Sequence, residues 1–277
     1  MADSQDSWKG SLKWAAILVV PALAIFLGLR LLIPPPDPPL SYSFQAPAPG
    51  LGRVAAEVSS SYSFITVRGD GRPVRWDPCT PIRYVTNLDF APSGAALIVE
   101  QSLDQVSAAT GISFKNEGST SELPTRDREP YQPRRYGDDW SPLLIAWAYS
   151  TTTDIFAQPD ALGYGGPTSI AVAGDPRAYV SGMAALNRDA VLPMVMGHGT
   201  TWGLVVMHEL GHAIGLDHVD DPLQVMYGPN TAFPDSTPVQ WGAGDLAGFK
   251  LLGRQKGCVK TPRASSVSRL SIPQKSN

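Results

Sequence analysis

The stretch His208-Glu209-Leu210-Gly211-His212-Ala213-Ile214-Gly215-Leu216-Asp217-His218 gathers three of the chain's four histidines into eleven residues. His208 and His212 are four apart, so on a helix their imidazoles share one face and aim at one point. Two rings so placed can share a Zn²⁺ at roughly 2.0–2.1 Å each. Leu204, Val205, Met207, Leu210 and Ile214 give the same segment an apolar side for packing. Gly215 is placed to end the helix, because glycine reaches φ > 0 without steric cost. Beyond that turn His218 returns as a third ligand. Three histidines leave the fourth zinc position to water, the arrangement of a catalytic rather than a structural site. Glu209 follows the first ligand and is rotated off the ligand pair. It can reach that water without ligating the metal, as the general base of a hydrolysis. Zinc lowers the pKa of such a water to about 7 and polarises a scissile carbonyl.

The five fixed positions of H-E-x-x-H-x-x-G-x-x-H are all met. A chance match in a chain this long has a probability of about 10⁻⁴, which sets aside a surface accident. The motif resembles that of the metzincin metalloproteases. Their second mark is a methionine turn below the metal. Met226, in Gln224-Val225-Met226-Tyr227-Gly228, resembles the Met-Tyr turn of the matrixin branch. The resemblance implies that Met226 forms an apolar floor under the ligands; an isolated methionine would be plain core packing. Tyr227 adjoins the methionine. In the astacin-like and serralysin-like branches the tyrosine that reaches zinc stands two positions after it, so Tyr227 is not assigned as a ligand.

The likeness to a matrixin-like catalytic domain runs from about Arg75 to Cys258. Residues 82–86 resemble its first strand, 93–110 its first long helix, 143–149 the next strand and 245–253 the closing helix. It implies an α+β fold: a twisted mixed sheet above the zinc helix, and a C-terminal part with the methionine turn and a last helix. In such folds an edge strand just before the zinc helix binds substrate by strand addition, and 178–186 is the candidate here. The implied activity is a zinc metalloendopeptidase acting on protein or peptide substrates. Two alternatives stand beside it: a zinc hydrolase of a non-peptide amide of cell-wall type, and a catalytically silent zinc-binding module. Glu209 argues against the silent module.

There are departures from the pattern. Val219 follows the third histidine where vertebrate matrixins usually carry serine. His198 is the one histidine outside the motif, too few for a second, structural zinc. No P-R-C-G-x-P-D cysteine switch is present. Structural Ca²⁺ stays open, because the Gly- and Asp-containing stretch 164–175 offers oxygens; an ordinary loop is the plainer reading. The wall that sets side-chain preference should come from about 229–241.

The elements that must position these residues are readable in part. Residues 82–88 alternate like a strand. Val99, Leu103 and Val106 recur at helical spacing over 93–110, with Gly111 as its end. Residues 143–149 form an apolar run fit for a strand. Residues 61–67 read as a short strand or as linker. The polar stretch 115–139, with Arg126, Arg128, Arg134 and Arg135, reads as a solvated loop, or as a substrate-facing or self-cleaved one.

The chain has 277 residues and a net charge of −3, with 17% charged residues, which leaves no electrostatic footprint for nucleic acid. Residues 14–33 are apolar over about the 20 residues needed to cross a bilayer. Lys9 and Lys13 precede them, so the positive-inside rule puts 1–13 in the cytoplasm and the remainder outside. A cleaved signal peptide with secretion is the alternative. The apolar residues beyond Ala22-Leu23-Ala24 favour an uncleaved single-pass anchor in the cell membrane. Residues 34–60 are a Pro-rich spacer, 61–260 the zinc protease domain, and 261–277 a disordered tail. A monomer is the default. Cys79 and Cys258, the only cysteines, most simply form one disulfide in an oxidising compartment, worth on the order of 4–5 kcal/mol at most.

Overall fold

The structure, a computed structural model, describes residues 40–44, 61–156, 161–172, 175–228, 235 and 239–267. The chain divides into two units, 1–38 and 39–277, and all described residues belong to the second. The expected membrane span lies outside them. Among the described residues no helix is long and apolar enough to cross a membrane.

In chain order the elements are β1 (Leu40–Phe44), β2 (Ser63–Phe64), β3 (Ile82–Asn87), α1 (Ala95–Thr110), β4 (Phe114–Ser119), α2 (Pro133–Tyr136), β5 (Leu143–Ala148), β6 (Gly163–Val172), β7 (Asp175–Asn187), α3 (Trp202–Ile214), β8 (Leu216–Asp217), α4 (Ala243–Leu252) and α5 (Ala264–Val267). One mixed sheet of six strands runs β1-β6-β7-β5-β3-β4. β4, β3, β5 and β7 are mutually parallel, and β6 and β1 complete the sheet antiparallel. β2 pairs with β8 in a separate ribbon.

β5 shows why the sheet forms here. All six residues of Leu-Leu-Ile-Ala-Trp-Ala are buried. Side chains alternate between the two faces of a strand, so a strand without polar residues needs cover on both. Leu143, Ile145 and Trp147 enter the core shared with α1 and α3, while Leu144, Ala146 and Ala148 pack with Ile155 and Phe156. α1 turns Ile98, Val99, Leu103 and Val106 into the first of these cores and stops at Gly111, φ 70°.

Three expectations change. First, 178–186 lies inside β7, an inner strand of the sheet paired with β6 along its length and with β5 over 183–187, and is not the edge strand expected. Second, 164–172 is strand rather than loop, and 173 and 174 lie outside the described residues. Residues 163–172 form β6, whose Gly-Tyr-Gly-Gly-Pro start hides the strand because glycine and proline are poor strand formers. Third, 115–139 is not a solvated loop throughout. It begins within edge strand β4, and Arg128 is buried in a bidentate pair with Glu122 (Nε–Oε1 2.9 Å, Nη2–Oε2 3.0 Å). Arg128 also donates to the carbonyls of Pro142 and Gly182 and to Ser181 Oγ, which anchors the segment to the sheet. The choice left open for 61–67 resolves to a strand at Ser63–Phe64.

Candidate metal centre and active site

α3 begins at Thr201, whose Oγ1 accepts the Leu204 N–H at 3.3 Å, the usual way to satisfy a first-turn donor. Every residue of α3 is buried, so the helix is fixed on all sides. Trp202 meets Trp147 of β5 edge-on, ring centroids 5.8 Å apart. At the other end Gly215 sits at φ 122° and its N–H reaches the carbonyls of Gly211 and His212. Trp76 Nε1–H donates to the Ala213 carbonyl at 2.9 Å, and the Ile65 N–H to that of Gly215 at 3.1 Å. These bonds occupy helix-end carbonyls that would otherwise be orphaned. β8, held by β2, then carries the chain back to His218.

The three imidazoles converge. Their Nε2 atoms are 3.0 Å (His208–His212), 3.1 Å (His208–His218) and 3.1 Å (His212–His218) apart. Nδ1–H of His208 donates to the Val225 carbonyl at 2.7 Å, and that of His212 to the Leu216 carbonyl at 2.8 Å. A neutral ring protonated on Nδ1 holds a lone pair on Nε2. Lone pairs facing at this distance repel unless a cation lies among them. Burial, reinforced by the neighbouring histidines, pushes His208 down to about 3 and His212 well below the ordinary range, so both rings stay neutral. Donor chemistry, tautomer and spacing therefore fit a zinc ion, and His208, His212 and His218 are the residues that could hold it. The other described triple of donor side chains, Asp77 with Cys79 and Cys258, is spoken for. Those cysteines form the expected disulfide, Cα–Cα 5.4 Å.

Glu209 is buried, and burial raises its carboxyl to about 8. It lies against the first half of β6 in space left by missing side chains. A Cβ at Gly163 would stand 2.6 Å from Glu209 Cγ and 2.7 Å from Cδ. One at Gly165 would stand 2.8 Å from Oε2 and 2.5 Å from the Glu209 carbonyl oxygen.

Met226 is buried against α3 beside Gly211. Its loop is closed by the Val219 N–H on the Met226 carbonyl and the Gly228 N–H on the Val219 carbonyl, both 3.0 Å. Two side chains tie this loop to α4. Asp245 accepts the N–H groups of Val225 (2.7 Å), Met226 (3.3 Å) and Gly242 (2.9 Å). Gln224 Oε1 accepts those of Gly244 (2.7 Å) and Asp245 (3.0 Å). Burial, partly offset by its backbone donors, raises Asp245 to about 6. Gly163, Gly165, Gln224 and Asp245 had no role in the sequence reading. An acidic residue in the first turn of the closing helix was the one signal available. Of the expected specificity wall, 229–234 and 236–238 lie outside the described residues; Trp241 is buried and meets Phe249 edge-on at 4.6 Å.

Residues 145–252 match the Peptidase_M10 family model, Matrixin. Over 54 residues the chain is 43% identical to macrophage metalloelastase of Oryctolagus cuniculus, a match covering 20% of this chain and 11% of that protein. The chain thus spans about a tenth of the length of that relative. The residues so matched, 145–252, include the histidine triad, Glu209 and the methionine turn, and it is this part of the chain that is similar to the matrixins.

Proposed function

We propose that this chain is a zinc-dependent endopeptidase in which His208, His212 and His218 hold the metal and Glu209 is the general base. The observation that carries the reading is the triangle of Nε2 atoms, 3.0–3.1 Å on each side, with Glu209 next to its first member on α3. Zinc bound there would acidify a water and polarise the scissile carbonyl.

The chain's own groups supply the rest. Val225 and Leu216 carbonyls fix the tautomers of His208 and His212, which keeps Nε2 directed at the centre. Glu209 takes a proton from the attacking water and delivers it to the leaving amine nitrogen. Met226 keeps the floor apolar and fills it. A peptide substrate adds as a strand along β6, the strand nearest Glu209. A single-pass anchor at 14–33 holds the domain outside the cell membrane as a monomer.

Full-length protein incubated with unfolded casein, with and without a zinc chelator, tests this beside Glu209→Ala. Chelator-sensitive cleavage that Glu209→Ala loses, with one zinc still bound per chain, is the expected result. Cleavage of cell-wall material instead of casein would move the assignment to a non-peptide amide. Zinc bound without cleavage of either would leave a silent module.

A further inference from the structure

Asp245 is the last acidic residue of the chain. Residues 246–277 carry seven lysines and arginines and neither aspartate nor glutamate, on a chain whose net charge is −3. The fold brings a second basic segment to the first. The turn between β2 and β3, closed by the Arg68 N–H on the Arg72 carbonyl at 2.8 Å, supplies Arg68, Arg72 and, just beyond it, Arg75. With Lys256 and the apolar side chains of Leu251 and Val259 they line a cavity of about 280 Å³.

The cations of this cavity are held in place more than they are cancelled. Arg75 donates to the carbonyls of Gly253 (3.2 Å), Gly257 (3.3 Å) and Lys256 (3.2 Å), which fix its guanidinium beyond the end of α4 and leave the charge intact. Burial and then the charge of Arg68 lower the pKa of Arg75 below the ordinary value; Arg72 adds to this and Asp77 opposes it. Arg72 pairs with Asp70 at 2.6 Å, but the two side chains are 73% and 45% exposed. An ion pair so wet is worth little, so Arg72 can exchange one carboxylate for another. The cavity is separate from the metal centre. Leu251 lies about 9 Å along α4 from Asp245, the residue that holds the methionine turn.

The walls indicate what fits. Guanidinium forks match carboxylates, and Leu251 and Val259 offer apolar contact between the charges. A flat bilayer meets a recess only at its rim, whereas side chains of an extended polypeptide can enter it. We propose that this recess is a second binding site, which takes an acidic segment of a protein substrate, carboxylates interspersed with apolar side chains, at a distance from the scissile bond. That the segment belongs to a substrate rests on the reading of the chain as an endopeptidase; that it binds does not.

The test titrates full-length protein carrying Glu209→Ala with a fluorescein-labelled peptide, Glu-Leu-Glu-Glu-Leu-Glu, followed by anisotropy. Binding should weaken as NaCl rises from about 0.05 to about 0.5 M, because salt screens the pairs. Arg72→Glu and Lys256→Glu should each weaken it about fivefold or more, while Arg134→Glu, the same change of charge on exposed α2, should not. No binding, or an equal loss in Arg134→Glu, would overturn the proposal. Binding of anionic phospholipid vesicles through Arg72 and Lys256 without binding of the peptide would overturn it too. Inorganic phosphate should displace the peptide no better than NaCl of equal ionic strength; stronger displacement would make the recess a phosphate site instead. With Glu209 intact, a cleavable peptide joined to the acidic tail by a flexible linker should exceed the untailed peptide in kcat/KM by about fivefold, an advantage lost in both cavity variants. Equal kcat/KM with and without the tail would overturn the role in substrate binding. Cleavage of neither peptide, with the anisotropy result intact, would instead sink the endopeptidase reading and keep the site for acidic segments.

Discussion

Met226 Sδ occupies the point where a side chain at Gly211 would begin. Gly211 stands one residue before His212 on α3, so the floor and the ligand-bearing helix touch with nothing between them. Trp241 closes the same spot from another side, with its ring 3.5 Å from that point. Gly211→Ala drives a methyl group into a filled space. Denaturant unfolding should show a loss of about 1–3 kcal/mol, and a zinc titration should show weaker binding. If both are unchanged, the contact does not support the site.

Gly163 and Gly165 separate two kinds of crowding. The nearest obstacles to a Cβ at Gly163 are all side-chain atoms of Glu209, whereas at Gly165 they include that residue's backbone O and Cα. Gly163→Ala should therefore keep the fold and turn the carboxylate aside, lowering kcat about 10²-fold or more with zinc still bound. Gly165→Ala should displace the strand itself and lower the melting temperature. Equal thermal stability of the two variants would contradict this division.

Asp245 carries a pH signature. Its folded pKa of about 6 lies above the ordinary 3.8, so its contribution to stability is full below 3.8 and is lost as pH rises through 6. Asparagine at this position cannot ionise and has no such dependence. The stability gap between wild type and Asp245→Asn should widen as pH falls from 7.5 toward 4.5, by about 2 kcal/mol. Chemical denaturation at the two pH values measures it; a gap that narrows toward acid would reverse the assignment.

The site was legible wherever local chemistry dictates it. The i, i+4 histidines, the glycine that stops α3 and the single cysteine pair need no knowledge of the fold. β5 was legible because an apolar run bounded by polar residues has few other uses. β6 was not: three of its first four residues are glycine, so no alternation marks it, and it becomes a strand because β7 supplies the partner. Which strand offers an edge depends on the order β1-β6-β7-β5, a property of assembled neighbours and not of any one segment. Arg128 reads as a surface charge until Glu122 is found beside it inside the fold. Asp245 reads as an ordinary helix-start acid until the methionine turn is packed onto it.

The Cys79–Cys258 bridge ties points 179 residues apart in sequence, and Asp77 reinforces it by accepting the N–H groups of both Cys79 and Val259 at 3.1 Å. Reduction should cost about 2–5 kcal/mol. Thermal melts with and without reductant should differ accordingly, while Cys79→Ala keeps zinc binding at low temperature. A reduced protein as stable as the oxidised one would make the bridge incidental.

Of the five residues from Gly163 to Pro167, only Tyr164 and Pro167 carry side chains. A chain laid along that stretch would meet little besides peptide groups, which are the same in every protein. On this side the proposed site would be indifferent to sequence and attentive to shape, asking for an extended backbone. Selectivity in a site so built would be exercised from the opposite bank.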